Sequence, residues 1–218
     1  MTSASIGVIA NPASGRDVRR LVAGASVFDN AEKGAMVYRL MVGLGATGVG
    51  RVVMMPAGSG LSEALRRMLR GREGTAGVEL PELELLPMRL RGTAEDTVEA
   101  VGAMLDYGVD AIAVLGGDGT SRVVAGCCGD VPLCPISTGT NNAFPELRES
   151  TVVGLAAGLV ATRSLGKEAL RREKILRRLC SRVVRVGDGE PPTASANRHF
   201  FAYSLALPTS LIPARPST

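Results

Sequence analysis

The residue types that could do chemistry are densest at Leu115-Gly116-Gly117-Asp118-Gly119-Thr120 in this 218-residue chain. The apolar run Ala111-Ile112-Ala113-Val114-Leu115 before it reads as a buried strand. Ser121-Arg122-Val123-Val124-Ala125 after it reads as the start of a helix. Three glycines between a strand and a helix allow backbone amides to close on a phosphate, because glycine turns freely and has no Cβ to hold a ligand away. The helix start adds amides with no intrahelical acceptor and the positive end of the helix dipole. Asp118 does not belong in a plain phosphate cradle, since a carboxylate repels phosphate. It fits a site where it accepts a proton from an attacking hydroxyl or holds a metal ion. The plainer alternative is a tight turn in which Asp118 caps the helix.

Two further polar loops fall in equivalent places. Asn11-Pro12-Ala13-Ser14-Gly15 follows the apolar run Ile6–Ala10 and leads into a helix expected from about Asp17. Thr138-Gly139-Thr140-Asn141-Asn142-Ala143-Phe144-Pro145 follows Val131–Ser137. The prolines of that last strand suggest an edge-like or distorted one. Strands also read at Arg51–Met55 and Glu82–Leu86. Helices read from Asn30 to a stop at Gly45, from Leu61 to Gly71, from Thr93 to Gly108, to about Cys128, and over Thr151–Thr162. Asn30 is the expected cap of the first of these. Thr93 and Asp96 form a capping-box start to another, whose inner face reads as Ala94, Val98, Val101 and Leu105. In the last helix Gly154, Ala157 and Gly158 permit close packing. Alternating strands and helices predict an α/β fold, an open and mostly parallel Rossmann-like sheet with helices on both faces. In such a sheet the carboxyl ends of the strands share one rim, where ligands bind.

Gly43-Leu44-Gly45-Ala46-Thr47-Gly48 matches the dinucleotide fingerprint G-x-G-x-x-G in letters only. That fingerprint needs a strand before it and a helix after it. Here a helix precedes and a strand follows, so the stretch reads as a helix-to-strand loop.

Composition narrows the function classes. Apolar residues make up 45% and charged residues 21%, an ordinary globular balance. Aromatics are 3% with no Trp, which leaves little material for stacking on nucleic-acid bases and argues against a nucleic-acid partner. The net charge is +4. The clusters Arg66-Arg67, Arg171-Arg172 and Arg177-Arg178 read as solvated helix faces. Cys127, Cys128, Cys134 and Cys180 form no C-x-x-C pair and His199 stands alone, against zinc or a Ser-His-Asp triad. Cys127-Cys128 in a helical segment reads as buried thiols of a reducing compartment. No export signal or membrane span is legible, so a cytoplasmic protein without a membrane partner is expected.

Gly116-Gly117-Asp118-Gly119-Thr120 is the hallmark of the superfamily that joins NAD kinases, diacylglycerol and sphingosine kinases, and 6-phosphofructokinase-like enzymes. With Ile6–Gly15, Val114–Thr120 and Ile136–Pro145 plus the helix after it, the chain resembles the ATP-NAD kinase family, and within it the acetoin-catabolism protein X branch. The resemblance spans roughly residues 5–178. It implies ATP or polyphosphate as donor, Mg²⁺, and the 2′-hydroxyl of NAD as acceptor. By the same resemblance, Asp118 is the base or metal-linked carboxylate, and Gly116, Gly117, Gly119 and Thr120 form the phosphate turn. Asn11, Ser14 and Gly15 match the first nucleotide loop. Thr138, Gly139, Thr140, Asn141 and Asn142 match the second. No dedicated protein metal-ligand set is expected.

Residues 1–178 are thus expected to form the NAD-kinase-like nucleotide-binding domain. Residues 179–218 are expected to be an irregular tail or a remnant of the family's C-terminal β domain, with Gly187-Asp188-Gly189 as a possible hairpin turn. That β domain carries an Asn-Glu motif in NAD kinases, and this chain has no Asn-Glu pair. The leading expectation is an NAD-kinase-type phosphotransferase. The alternatives are a non-catalytic nucleotide-binding accessory protein or inactive fragment, and a lipid kinase, whose second loop usually reads Gly-Thr-Gly-Asn-Asp. An exposed sheet edge or apolar surface makes a homo-oligomer possible.

Overall fold

The computed structural model describes residues 3–12, 29–58, 60–71, 77, 79–138, 142, 144–166, 170–176 and 199–205. In chain order the elements are β1 (Ser5–Ala10), α1 (Asn30–Ala46), β2 (Arg51–Met54), α2 (Leu61–Arg70), β3 (Glu82–Leu85), α3 (Ala94–Asp106), β4 (Ala111–Gly116), α4 (Asp118–Ala125), β5 (Leu133–Ser137), α5 (Ser150–Ala161), β6 (Leu170–Leu176) and β7 (His199–Leu205). The sheet order is β3-β2-β1-β4-β5-β7-β6. The first five strands pair in parallel, so the predicted α/β architecture is present.

Side-chain alternation along the strands divides the core in two. Ile6, Val8, Ala10, Val52, Met54, Ala113, Leu115 and Ile136 face α1, α2 and α5. Ile9, Val53, Ile112, Val114 and Leu133 face α3 and α4. The register Ile6↔Ala111, Val8↔Ala113, Ala10↔Leu115 keeps each set on its own side. Every residue of β1 and β4 is buried, as expected of parallel strands covered on both faces. Aliphatic side chains and methionine fill both layers.

The glycines of the false fingerprint do packing work. A Cβ on Gly43 would collide with the Thr151 carbonyl, and one on Gly154 with the Leu40 carbonyl. These two glycines let the backbones of α1 and α5 touch. A Cβ on Gly45 would strike the Glu79 carbonyl. Gly45 therefore does not stop α1, which runs on to Ala46; the turn is made by Gly48, at φ +81°.

Several local expectations shift. Asp29, not Asn30, caps α1: its Oδ1 accepts from the Glu32 amide at 2.7 Å. On α3 the buried apolar residues are Ala100, Val101 and Met104, whereas Ala94 is exposed, Val98 is 47% exposed and Leu105 36%. The predicted face shared only Val101 with the real one. The capping box held the start correctly but did not fix the rotation. The buried Asp96 carboxylate belongs to the true face and accepts from the amides of Arg91, Gly92 and Thr93. Helix α4 ends at Ala125, so Cys127 and Cys128 lie beyond it.

Strand β5 is internal in sheet order rather than an edge strand. Its Pro135 still explains the edge-like signal. The Thr138 amide points to β4, donating to Gly116 O, and the Ser137 amide points away, donating to Glu146 O. By alternation Pro135 lacks its N–H on the side away from β4. There β5 meets β7 at the single position Leu133↔Ser204.

Two strands that the residue pattern did not reveal complete the sheet. β6 and β7 pair antiparallel from Leu170↔Leu205 to Leu176↔His199. Arg171-Arg172 is thus on a strand, not on a helix face. The helix expected from Asp17, the Arg177-Arg178 cluster, Cys180 and the Gly187–Gly189 turn lie outside the described residues.

Candidate functional site

Register brings the three polar loops side by side. Ala10 pairs with Leu115, and Gly116 with Ser137, so β1, β4 and β5 end at one level. The Asn11 amide donates to Leu115 O at 3.1 Å, and the Thr138 amide to Gly116 O at 3.2 Å. Both loops therefore leave the sheet pinned to the glycine turn between them.

The turn is compact because its residues are small. Gly116 closes β4, and a Cβ there would lie 2.8 Å from the Thr120 Cβ. Gly117 is the helix N-cap, in extended conformation, and a Cβ there would lie 2.9 Å from Asn142 Oδ1. Each of these glycines makes room for a neighbouring polar residue of the rim. Gly119 is exposed, with open space where a Cβ would point. The first intrahelical bond of α4 runs from the Ser121 amide to Gly117 O at 3.1 Å. The amides of Gly119 and Thr120 precede it and have no acceptor within the helix.

Asp118 opens α4 without capping it; the cap position belongs to Gly117. Asp118 Oδ1 instead accepts from the Phe144 amide at 2.9 Å, across 26 residues. This ties the loop after β5 to the turn after β4. Asn142 Nδ2 donates to Ser137 Oγ at 2.7 Å. From the other side Asn11 Nδ2 donates to Thr120 Oγ1 at 2.9 Å. Thr120 and Ser137 are buried, so the Asn11–Thr120 and Asn142–Ser137 contacts each have one partner withdrawn from water.

The structure thus brings together Asn11, Gly116, Gly117, Asp118, Gly119, Thr120, Thr138 and Asn142. Ser14, Gly15, Gly139, Thr140 and Asn141 lie outside the described residues. Sequence reasoning missed Ser137, the backbone of Phe144 and, above all, Lys33. Lys33 is 1% exposed, and its Nζ donates to the carbonyls of Asn11 at 3.2 Å and Pro12 at 3.1 Å. The available signal was compositional: the chain has three lysines among 25 basic residues, and one of them falls on the apolar helix α1.

Residues 6–164 match the family model described as the ATP-NAD kinase N-terminal domain. The chain belongs to this family. It is also 46% identical over 185 residues to the acetoin catabolism protein X of Cupriavidus necator, a match covering 84% of this chain and 50% of that protein. The chain therefore spans about half the length of the curated relative it matches. No solved structure matches it significantly.

The family's phosphate chemistry fits the donor set on this rim. Open space at Gly119 and the helix-start amides suit an anion. Among the described residues no three His, Cys, Asp or Glu side chains gather to hold a metal. Asp118 is the carboxylate at the turn, which suits a divalent ion bound mainly through substrate phosphates and water. Among the described residues, the Cys128 and Cys134 thiols are held protonated. Burial pushes Cys134 up to about 12, and burial together with the adjacent Cys127 pushes Cys128 up to about 11. Among the described residues no helix is long and apolar enough to cross a membrane.

Proposed function

We propose that the chain is the nucleotide-binding half of an NAD-kinase-type phosphotransferase, which moves a phosphoryl group from ATP or polyphosphate to the 2′-hydroxyl of NAD or a related small acceptor. The observation that carries this reading is the Asp118–Phe144 bond, which fixes a carboxylate beside the helix-start amides of the glycine turn. Asp118 takes the proton of the acceptor hydroxyl. That oxygen's electron pair forms the new P–O bond while the donor's terminal P–O bond breaks, and the shortened phosphate chain leaves with the bonding pair. The amides of Gly119 and Thr120 stabilise charge on the phosphoryl oxygens. Mg²⁺, when bound with the donor, neutralises phosphate charge. Asn11 and Asn142 hold the two flanking loops against the turn, and Ser14, Gly15, Gly139, Thr140 and Asn141 are assigned to the same nucleotide loops.

The test is NADP formation from ATP, Mg²⁺ and NAD by purified protein, with Asp118→Asn as control. The variant should bind ATP as the parent does and lose turnover. Equal rates for both proteins would sink the catalytic role of Asp118.

The match to half of a longer relative favours one second reading, nucleotide binding without transfer. The relative's name places that protein in acetoin catabolism, and an accessory role there would follow. Calorimetric ATP and NAD binding with no NADP formed would select it.

A further inference from the structure

A lysine side chain withdrawn from water needs a reason, because removing an ammonium from solvent costs several kcal/mol even after relaxation. Lys33 lies within the first turns of α1, flanked by the buried Gly34, Met36 and Val37. Two of its hydrogen bonds go to consecutive main-chain carbonyls, Asn11 O and Pro12 O, where the chain leaves β1. The same Asn11 uses its amide on Leu115 O and its side chain on Thr120 Oγ1. Lys33 is thus one residue removed from the glycine turn, linked to it through the hydrogen bonds of Asn11.

Arginine could not take this place without repacking. An ammonium is a compact charge whose donors can converge on two neighbouring carbonyls, whereas a guanidinium is a wide planar fork. The choice of lysine here, in a chain that elsewhere prefers arginine, fits a requirement for a small buried cation.

We infer that Lys33 is a positioning residue for a polyphosphate: its ammonium clamps the Asn11-Pro12 carbonyls so that Asn11 reaches Thr120, and its charge lies under the rim as a fixed counter-field for the anion. This rests on the nucleotide reading above for the location of the phosphate chain. The clamp sets the loop, and the field raises affinity in proportion to the charge the ligand carries. Water screens a buried charge less than a surface one, so the contribution should persist at physiological ionic strength. Lys33 itself does not meet the reacting atoms.

The experiment compares the full chain with Lys33→Met, which keeps the length and removes the charge. Inorganic pyrophosphate and tripolyphosphate serve as probes in calorimetry, and NADP formation is followed in parallel. Tripolyphosphate affinity should fall about tenfold, and pyrophosphate affinity by less, because the lost Coulomb energy scales with ligand charge. Unchanged affinities, or equal losses for both anions, would overturn the proposal, the second outcome marking a merely structural lysine. If Lys33→Met does not fold, the ammonium resonance of Lys33 in the parent protein decides. It should shift on adding tripolyphosphate but not on adding sodium chloride of equal ionic strength, and no shift overturns the inference. A parent protein that binds tripolyphosphate in a Lys33-dependent way yet makes no NADP would refute the kinase reading while leaving Lys33 in its role.

Discussion

Two substitutions separate the proposed proton-accepting role of Asp118 from its hydrogen bond to the Phe144 amide. Asparagine keeps an oxygen for the Phe144 amide but carries no charge and accepts no proton. Asp118→Asn should lower turnover by roughly 10²–10⁴-fold, the usual worth of a general base, with the melting temperature nearly unchanged. Asp118→Ala should lose turnover equally and also free the loop after β5. The lost hydrogen bond should cost about 1 kcal/mol in urea denaturation. Asp96 is a carboxylate of another kind. Burial raises its pKa, but the amides of Arg91, Gly92 and Thr93 outweigh that and hold it below the ordinary 3.8. A depressed folded pKa adds stability above the unfolded value and loses it as pH falls through the folded one. Asp96→Asn should therefore flatten the pH dependence of stability below about pH 4 and lower stability at neutral pH. Denaturation curves of both proteins between acid and neutral pH check this.

Glycines on helices have opposite signs depending on what a Cβ would meet. In an exposed helix interior, glycine to alanine gains about 0.5–1 kcal/mol through backbone entropy. Gly102 on α3 is such a site, exposed and with no atom near the added Cβ. Gly102→Ala should stabilise the protein by that amount. Gly154 on α5 sits on the Leu40 carbonyl, and backbone cannot step aside as a flexible side chain can. Gly154→Ala should lose about 1–3 kcal/mol net, the cost of overpacking two helices against each other. Measured in one urea series, two changes of the same sign would refute this account of the α1–α5 contact.

Among the described side chains, the two cores draw on residues 6–161, on either side of the five parallel strands. β7 joins β5 at one register position while pairing with β6 along its full length. The β6–β7 pair thus extends the sheet past β5 through β7. A chain ending at residue 166 should unfold cooperatively and keep tripolyphosphate binding within a few-fold of the full chain. Loss of a cooperative transition would mean that the added pair is integral. Association of the truncated chain is a separate readout, since it would expose the β5 edge.

Local chemistry carried much of this protein into legibility. Strands that are apolar throughout, polar Gly-containing loops behind them and the strand-helix alternation determine a parallel α/β sheet, because backbone hydrogen bonding and burial leave few other solutions. The Gly116–Thr120 turn was legible because glycines placed between a strand and a helix mark a tight turn with close backbone approach. The rotation of α3 was not, because small and borderline residues such as Ala94, Ala100 and Val98 allow several faces, and only the sheet beneath chose one. β6 and β7 were not, since charged and aromatic residues mixed without a period give no strand signal until a partner strand is present. The Gly43–Gly48 letters could be set aside from order alone, but their purpose at the α1–α5 contact needed the second helix. Tertiary structure alone decided that Lys33 lies under Asn11 and that Asp118 meets the Phe144 amide. Contacts over 22 and 26 residues depend on where whole elements end, which no local pattern encodes.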